Sequence, residues 1–508
     1  MFDGLFMLGN GLAHFLTPLS LFNIAWATLL GIIIGALPGL TATMGVALLV
    51  TLTYKMAPDQ AILCLMCLYS GAIYGGSRTA ILLSIPGTPA SAATTLDGHP
   101  LALQGKAGMA MGLATTSSTL GTLVGIVALA LIAPLLAEAA LRFGTYEFFW
   151  LALFGVIISG QLTAIDDPLK GYIAGILGLL VAMVGMETLH AHQRFTFGIP
   201  ALGGGIDLIP AMVGAFGFAE ILGVMKRSAQ ARIVSAGDRV VPPLSEVFRY
   251  KWTTLRSGII GTFVGIVPGV GEDVGAWASY AAAKRTSKEK HLFGKGSQEG
   301  LIAAETGNSA VVPGAMIPTL TLALPGSAAA AVLIAAMFIH GIRPGPLLMT
   351  ENPDFLYQIV AILFFSTIAI LVFGLTLTKP LLTVLSVPRE RLTAVVYVLC
   401  VVGSFAITQR MFDVYVMLGF GIAGFILREM KYPMAPLVLG IILGDLLDLN
   451  LRRGLMLTNG DPSPFFTRPI SAVICLIIVF TILMSIPAVN RRVRALFTRN
   501  RGGVEAQG

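Results

Sequence analysis

Two apolar runs in this chain are each interrupted by a Pro-Gly pair, and that interruption constrains the fold more than any other feature. One run is GIVPGVGEDVGAWASYAAAKR, residues 265–285, broken at Pro268-Gly269. A weaker echo, GALPGLTATMGVALL, residues 35–49, is broken at Pro38-Gly39. Proline lacks a backbone donor and clashes with the preceding turn, and glycine frees the dihedrals, so each pair breaks a helix mid-span. In water that is an ordinary turn. In a membrane the freed peptide groups need partners from protein or from a water-filled cavity. A break that recurs in corresponding places of two halves is the best sequence pointer to a transporter's binding site.

Composition supplies the membrane. Of 508 residues, 56% are hydrophobic and only 12% charged, where soluble domains carry about a quarter charged residues. The chain therefore reads as an all-α polytopic membrane protein. Its formal net charge of +7 comes from basic residues in loops between apolar spans, which act as topology determinants and not as a nucleic-acid footprint. Cys64 and Cys67 form a C-x-x-C pair inside AILCLMCLYSGAIY and read as two small core residues on one helix. No cleavable signal peptide is expected, because no Lys or Arg precedes Lys55.

Apolar stretches fall at about 19–53, 61–89, 108–136, 147–163, 170–188 and 208–224, then again at about 257–283, 301–340, 356–378, 393–409, 413–427 and 434–449. A polar, basic segment separates the two sets. The predicted organisation is a first transmembrane repeat over 1–224, a cytoplasmic linker over 225–256, a second repeat over 257–450, and an outer loop, extra span and basic tail over 451–508. GGSRTAILLSIPGTPASAA (75–93) aligns with GAMIPTLTLALPGSAAAA (314–331), and IDDPLKGYIAGILG (165–178) resembles RMFDVYVMLGFGIAG (410–424). Arg491, Arg492, Arg494, Arg499 and Arg501 place the C-terminal tail in the cytoplasm, with the linker on the same side. If 470–488 crosses once, each repeat crosses an odd number of times, so the repeats have inverted topology and the N-terminus lies outside. Arg452, Arg453 and Arg468, on the outer loop, count against that orientation.

Four groups of residues could carry chemistry. Glu272 and Asp273 follow the second break; at bilayer depth an isolated charge costs at least about 2.5–3.5 kcal/mol. With Gly271 and the break carbonyls they could hold Na⁺ or H⁺, or cap the helix that follows. The first break offers Thr41 and Thr43 instead. Next come two turns with small hydroxyl residues, Pro86-Gly87-Thr88-Pro89-Ala90-Ser91 and Pro325-Gly326-Ser327. Their flanking runs are too short for two full spans, which predicts re-entrant hairpins whose tips present free N–H groups and hydroxyls to a carboxylate; a kinked span is the alternative. Arg78 either clamps a substrate carboxylate or snorkels to an interface. Glu305 and Asn308 lie three apart on one potential helix face, as oxygen ligands or caps. Asp166, Asp167, Asp445 and Asp448 read as caps, and His190 and His192 have too few partners for a metal. No catalytic or nucleotide-binding motif is present, which disfavours an enzyme.

These same residues resemble the TctA family, the large membrane subunit of tripartite tricarboxylate transporters. The resemblance rests on GALPGLTATMGVALL, YGGSRTAILLSIPGTPASAATTLDGHPLALQGKAG, GIVPGVGEDVGAWASYAAAKRTSK and IPTLTLALPGS, in consistent order from about residue 20 to about residue 450. It implies a bacterial inner-membrane secondary transporter of citrate-like carboxylates, driven by a Na⁺ or H⁺ gradient. It also implies two partners, a small four-helix TctB-like membrane subunit and a TctC-like periplasmic solute-binding protein. Pro38-Gly39, Ser77, Pro86-Gly87-Thr88, Pro268-Gly269 and Pro325-Gly326 occupy the family's motif positions. Before the second tip the family reads like Pro-Glu-x-Ala-Asn-Asn-Ala, where this chain has Ala304-Glu305-Thr306-Gly307-Asn308-Ser309-Ala310. The expected site therefore comprises Ser77, Arg78, Gly87, Thr88, Ser91, Asn308, Gly326 and Ser327 for the carboxylate. Pro38, Gly39, Thr41, Thr43, Pro268, Gly269, Gly271, Glu272, Asp273 and Glu305 are expected to serve the cation and the hinges.

Overall fold

The computed structural model describes residues 2–37, 40–164, 167–187, 191–226, 238–378, 380 and 389–485. Pro38, Gly39, Asp166, His190, the middle of the linker and the arginine-rich tail lie outside them. Almost all of the described chain is helical, and seven helices are long and apolar enough to cross a membrane. The first half runs α1 (Phe2–His14), α2 (Pro18–Ala36), α3 (Ala42–Thr53), α4 (Pro58–Leu83), α5 (Ala92–Leu101), α6 (Ala107–Ala140), α7 (Thr145–Thr163) and α8 (Pro168–Ala182). A short antiparallel pair, Gly185–Met186 with Gln193–Arg194, precedes α9 (Leu208–Met212) and α10 (Ala219–Lys226). The second half begins with α11 (Leu244–Arg249), α12 (Lys251–Ile266), α13 (Gly271–Thr286), α14 (Gln298–Leu322), α15 (Ala328–Ile339), α16 (Leu348–Glu351) and α17 (Asp354–Thr376). It closes with α18 (Arg389–Thr408), α19 (Met411–Glu429), α20 (Met434–Leu457), α21 (Pro464–Thr467) and α22 (Pro469–Ser485).

Helices α4 and α14 are buried on every face over nearly their whole length, as expected of helices apolar all round. Each is held by a neighbour through glycines. A Cβ on Gly35 would stand 2.0 Å from the Ala72 carbonyl oxygen, and one on Gly75 2.3 Å from that of Ile32, so α2 and α4 touch backbone to backbone. Their counterparts in the second half repeat the contact: Gly265 against Val311 and Ala315, and Gly314 against Thr262. The shift that takes Gly75 to Gly314 also takes Ser84 to Ala323. Both are non-glycine residues in the left-handed region (φ 56° each), donating back to Thr79 and Pro318 respectively. Likewise Gly87 abuts the Gly35 carbonyl (2.2 Å to a built Cβ) and Gly326 that of Gly265 (2.3 Å).

Both tips thus fold back along the helix before them, to the level of Gly76 and of Ala315. The flanking runs do not make two full spans at either tip: the arm before the break is long and the arm after it short. Helix α4 has 26 residues and α14 has 25, about 37–39 Å each, whereas α5 and α15 have 10 and 12. The second long arm stays one helix because Pro313 and Pro318 sit inside α14 without ending it. Helix α12 starts at Lys251, inside the segment read as linker.

Two further relationships place the site. First, α4 and α14 run antiparallel: Ile81 and Leu82 cluster with Leu301 and Ile302, Ser77 bonds Glu305, and Tyr69 bonds Ser327 at the folded-back tip. Second, the halves interleave. Helix α13 packs on the Pro89–Ser91 turn and α5, and α15 packs on α3. On the flanks, α8 of the first half meets α20 of the second (Gly178 against the Leu437 carbonyl), and the 213–218 turn between α9 and α10 meets α19 (Gly214 against Met417). Cys64 and Cys67 are buried, unbridged core residues of α4.

Candidate functional site

Tip two closes on itself. The Ala330 N–H donates to Ser327 Oγ (3.2 Å), Ser327 Oγ lies 2.8 Å from the Tyr69 hydroxyl, and Tyr69 donates to Glu272. The chain of donors ends on a carboxylate, the arrangement that satisfies one. The second break completes this wall: the N–H groups of Gly269 and Gly271, both at positive φ, donate to the Pro325 and Gly326 carbonyls (2.9 and 3.2 Å). Ser159 Oγ donates to the Gly269 carbonyl (3.0 Å), and Pro268 packs near Gly155. Break and tip, treated as separate in the sequence, are therefore one structure. Asp273 folds back over Gly271 and is half-buried.

Eight residues further along α4, about 12 Å at 1.5 Å per residue, lies a second carboxylate. Glu305 is fully buried and accepts from three hydroxyls: Ser77 (2.6 Å), Ser118 (3.0 Å) and Thr94. Three helices, α4, α5 and α6, each send one donor to it.

The first tip has a different internal pattern. Ser91 accepts from the Thr88 N–H (3.2 Å) and donates to the Thr88 carbonyl (2.8 Å), which leaves the Thr88 hydroxyl, buried against Gly76, without a partner. One turn beyond Glu305, Asn308 is completely buried and neither its amide nitrogen nor its amide oxygen has a protein partner. Buried polar groups are nearly always paired, which makes these two residues candidates for contact with a ligand.

Arg78 lies next to Ser77 on α4. It is buried and donates to the Tyr74 hydroxyl, Thr378 Oγ1 (3.2 Å) and the Gly374 carbonyl (3.1 Å), closing the C-terminal end of α17. A guanidinium has donors enough to cap a helix end; its Nε is buried without a protein partner among the described residues. Thr41 caps α3 by accepting from the Met44 N–H (3.2 Å), and Thr43 is buried in the first turn of the same helix. The remaining tip glycines, Gly87 and Gly326, serve close approach.

Sequence reasoning missed Tyr69, Thr94, Ser118 and Asp97. The signal for Tyr69 was available: the shift that aligns the two tips places it opposite Asn308, and Ser70 opposite Ser309. Thr94 and Ser118 look like any small helix residue. Asp97 is fully buried and accepts from the N–H groups of Gly294 (2.8 Å), Gly296 (3.0 Å) and Ser297 (2.9 Å) and from the Tyr280 hydroxyl (2.9 Å). It staples α5 to the loop before α14. Among the described residues no group of three or more His, Cys, Asp or Glu side chains gathers as a metal site.

Buried carboxylates, broken helices and unpartnered polar groups inside a bundle of apolar spans define a multi-pass membrane protein with an interior polar layer, of the kind that handles small solutes. Residues 21–439 match the family described as "Tripartite tricarboxylate transporter TctA family", and the chain belongs to that family, a transporter component. It is 35% identical over 479 residues to an "Uncharacterized 52.8 kDa protein in TAR-I ttuC' 3'region" of Agrobacterium vitis, covering 93% of this chain and 94% of that one. It is also 32% identical over 241 residues, 47% of this chain, to the whole of an "Uncharacterized protein in TAR-II ttuC' 3'region" of the same organism.

Proposed function

We propose that this protein is the membrane subunit of a secondary active transporter that imports di- or tricarboxylates across the bacterial inner membrane, coupled to Na⁺ or H⁺. In this reading it works with a small TctB-like membrane subunit and a TctC-like periplasmic binding protein. The observation that carries it is the buried polar layer, in which two carboxylates, two folded-back tips and an unpaired amide meet among apolar helices. Such groups inside a membrane mark a solute or ion path. The antiparallel course of the equivalent helices α4 and α14 supports two inverted repeats, with the N-terminus outside and the C-terminus cytoplasmic.

Coupling follows from charge. A substrate carboxylate brought to the Thr88 tip lies near Glu305, and like charges at close range in a low dielectric repel strongly. A proton or Na⁺ taken up at Glu305, or at Glu272 beyond Tyr69, removes that repulsion, so anion and cation bind together. Alternating access does not divide the chain at its linker, because α5 is stapled to the second half and α15 lies on the first. The moving body takes elements from both repeats.

The test is uptake of labelled citrate, malate and succinate into proteoliposomes holding the complete transporter, with an imposed Na⁺ or pH gradient. Accumulation above the external concentration that collapses with the gradient is the expected result. Equilibration indifferent to either gradient would establish a facilitator instead.

A further inference from the structure

A polar cavity of about 280 Å³ opens at the linker end of the bundle, where α11 leads into α12 and the loop after α13 returns to α14. Arg249, Tyr250, Trp252 and Thr253 line one side of it, and the 286–289 turn with Glu299 the other. Its size falls just under the roughly 300–1,000 Å³ of ordinary ligand sites, so it suits a small polar group.

The cavity carries both signs of charge. Glu299 is buried and accepts from Thr253 (2.7 Å) and Ser287 (2.5 Å), and Glu289 accepts from Arg249 (2.7 Å) and the Tyr250 hydroxyl (3.2 Å). Each carboxylate keeps lone pairs for a further donor. The cations have donors to spare. Lys288 is exposed on the cavity wall. Arg256, one turn beyond Trp252, donates from Nη1 to Thr286, while its Nε and Nη2 are buried with no partner among the described residues. Those two nitrogens form one edge of the guanidinium, whose parallel N–H groups match a pair of phosphate oxygens. The Tyr250 and Trp252 rings already have the Arg249 and Lys251 charges over them (5.3 and 5.9 Å from the centroids).

From the cavity, α12 continues with Trp252, Leu255, Ile259 and Phe263, three and four residues apart on one face and 43–73% exposed. The rest of the helix packs on α14, α13 and α6. Tryptophan favours the headgroup level of a bilayer, and basic pockets between spans bind lipid headgroups. We propose that this cavity seats the headgroup of phosphatidylethanolamine, with the acyl chains lying along the exposed row of α12. The phosphodiester accepts from Arg256 and Lys288, and the primary ammonium donates to Glu289. A phosphate alone would lie against two carboxylates, and a methylated ammonium has no N–H to give them. A headgroup with a phosphate and a primary ammonium uses both sets.

Native mass spectrometry of the delipidated full-length protein, titrated with phosphatidylethanolamine, phosphatidylcholine and phosphatidylglycerol of identical acyl chains, tests this. Phosphatidylethanolamine is expected to bind about tenfold more tightly than the other two, the worth of one charge-assisted hydrogen bond. Arg256→Ala and the exposed Lys288→Ala should weaken all three lipids, which share the phosphate. Glu289→Gln should remove only the preference, bringing phosphatidylethanolamine to about the level of phosphatidylglycerol. That readout is a ranking within one variant, so partial loss of folded protein does not mimic it. Equal affinities in the unaltered protein, tighter binding of phosphatidylglycerol, a preference that survives Glu289→Gln, or binding indifferent to both Arg256→Ala and Lys288→Ala would each overturn the assignment. Glycerophosphoethanolamine binding as tightly as the lipid would also overturn it, marking a site for a soluble solute.

Discussion

Arg78 shows how much a single residue's meaning depends on its neighbours. A lone guanidinium in an uncharged stretch suggests an anion clamp, but its donors go to Tyr74, Thr378 and the Gly374 carbonyl. Removing one partner of a buried acceptor costs about 1–3 kcal/mol. Arg78→Leu is therefore expected to lower the melting temperature of the detergent-purified protein while the KM for uptake by surviving protein stays unchanged. A KM raised tenfold at an unaltered melting temperature would return Arg78 to the substrate. The acids behave in the opposite way: Glu272, beside Asp273, and Glu305, near Asn308, stood out in the sequence, and both are held by hydroxyl donors. Those donors were not legible, because Thr94 and Ser118 have no sequence pattern that separates a ligand from packing. Asn308 was legible as a residue, and its unpaired state was not.

At the scale of elements, the Pro-Gly breaks and the paired tips could be read directly, since local backbone chemistry fixes them. Helix lengths were harder. Proline inside an apolar run ends a helix in water, and the sequence does not say that α14, packed closely on α12, will stay continuous through Pro313 and Pro318. That closeness depends on glycines. Gly35→Ala would place a Cβ 2.0 Å from a carbonyl oxygen, and Gly265→Ala one at 2.7 Å from the Val311 oxygen and the Ala315 nitrogen. Overpacking of this kind costs about 1–3 kcal/mol. Both variants are expected to melt earlier than the parent, Gly35→Ala the more so. A Gly35→Ala protein as stable as the parent would contradict the backbone contact between α2 and α4.

For the whole molecule, order along the chain and adjacency in space diverge. The repeat divides the chain into two halves in order; the structure interleaves them, with α8 against α20, the 213–218 turn against α19, and Asp97 joining α5 to the second half. No single-sequence pattern encodes which half a flanking helix will lie against. It follows that residues 1–226 expressed alone should fail to form a stable particle in detergent, and that co-expression with 238–508 should rescue it as a one-to-one complex. Co-purification through a tag on one fragment reads the outcome, and a stable, monodisperse first fragment on its own would show the halves to be independent.

Tyr69 and Asn308 occupy the same position on helices that run in opposite directions, and on the proposed inverted-repeat reading this has a genealogical consequence. Before any fusion, one gene product would have met a second copy of itself, inserted upside down, across a two-fold axis in the membrane plane. Each copy would have offered an identical residue to the other's tip, and each must have been able to enter the bilayer either way, with little bias in its basic loops. Joining the copies in one chain fixed their orientations and released the paired positions from being the same. One descendant could then acquire its own acid, Glu272, which Tyr69 holds, while the other kept the amide of Asn308.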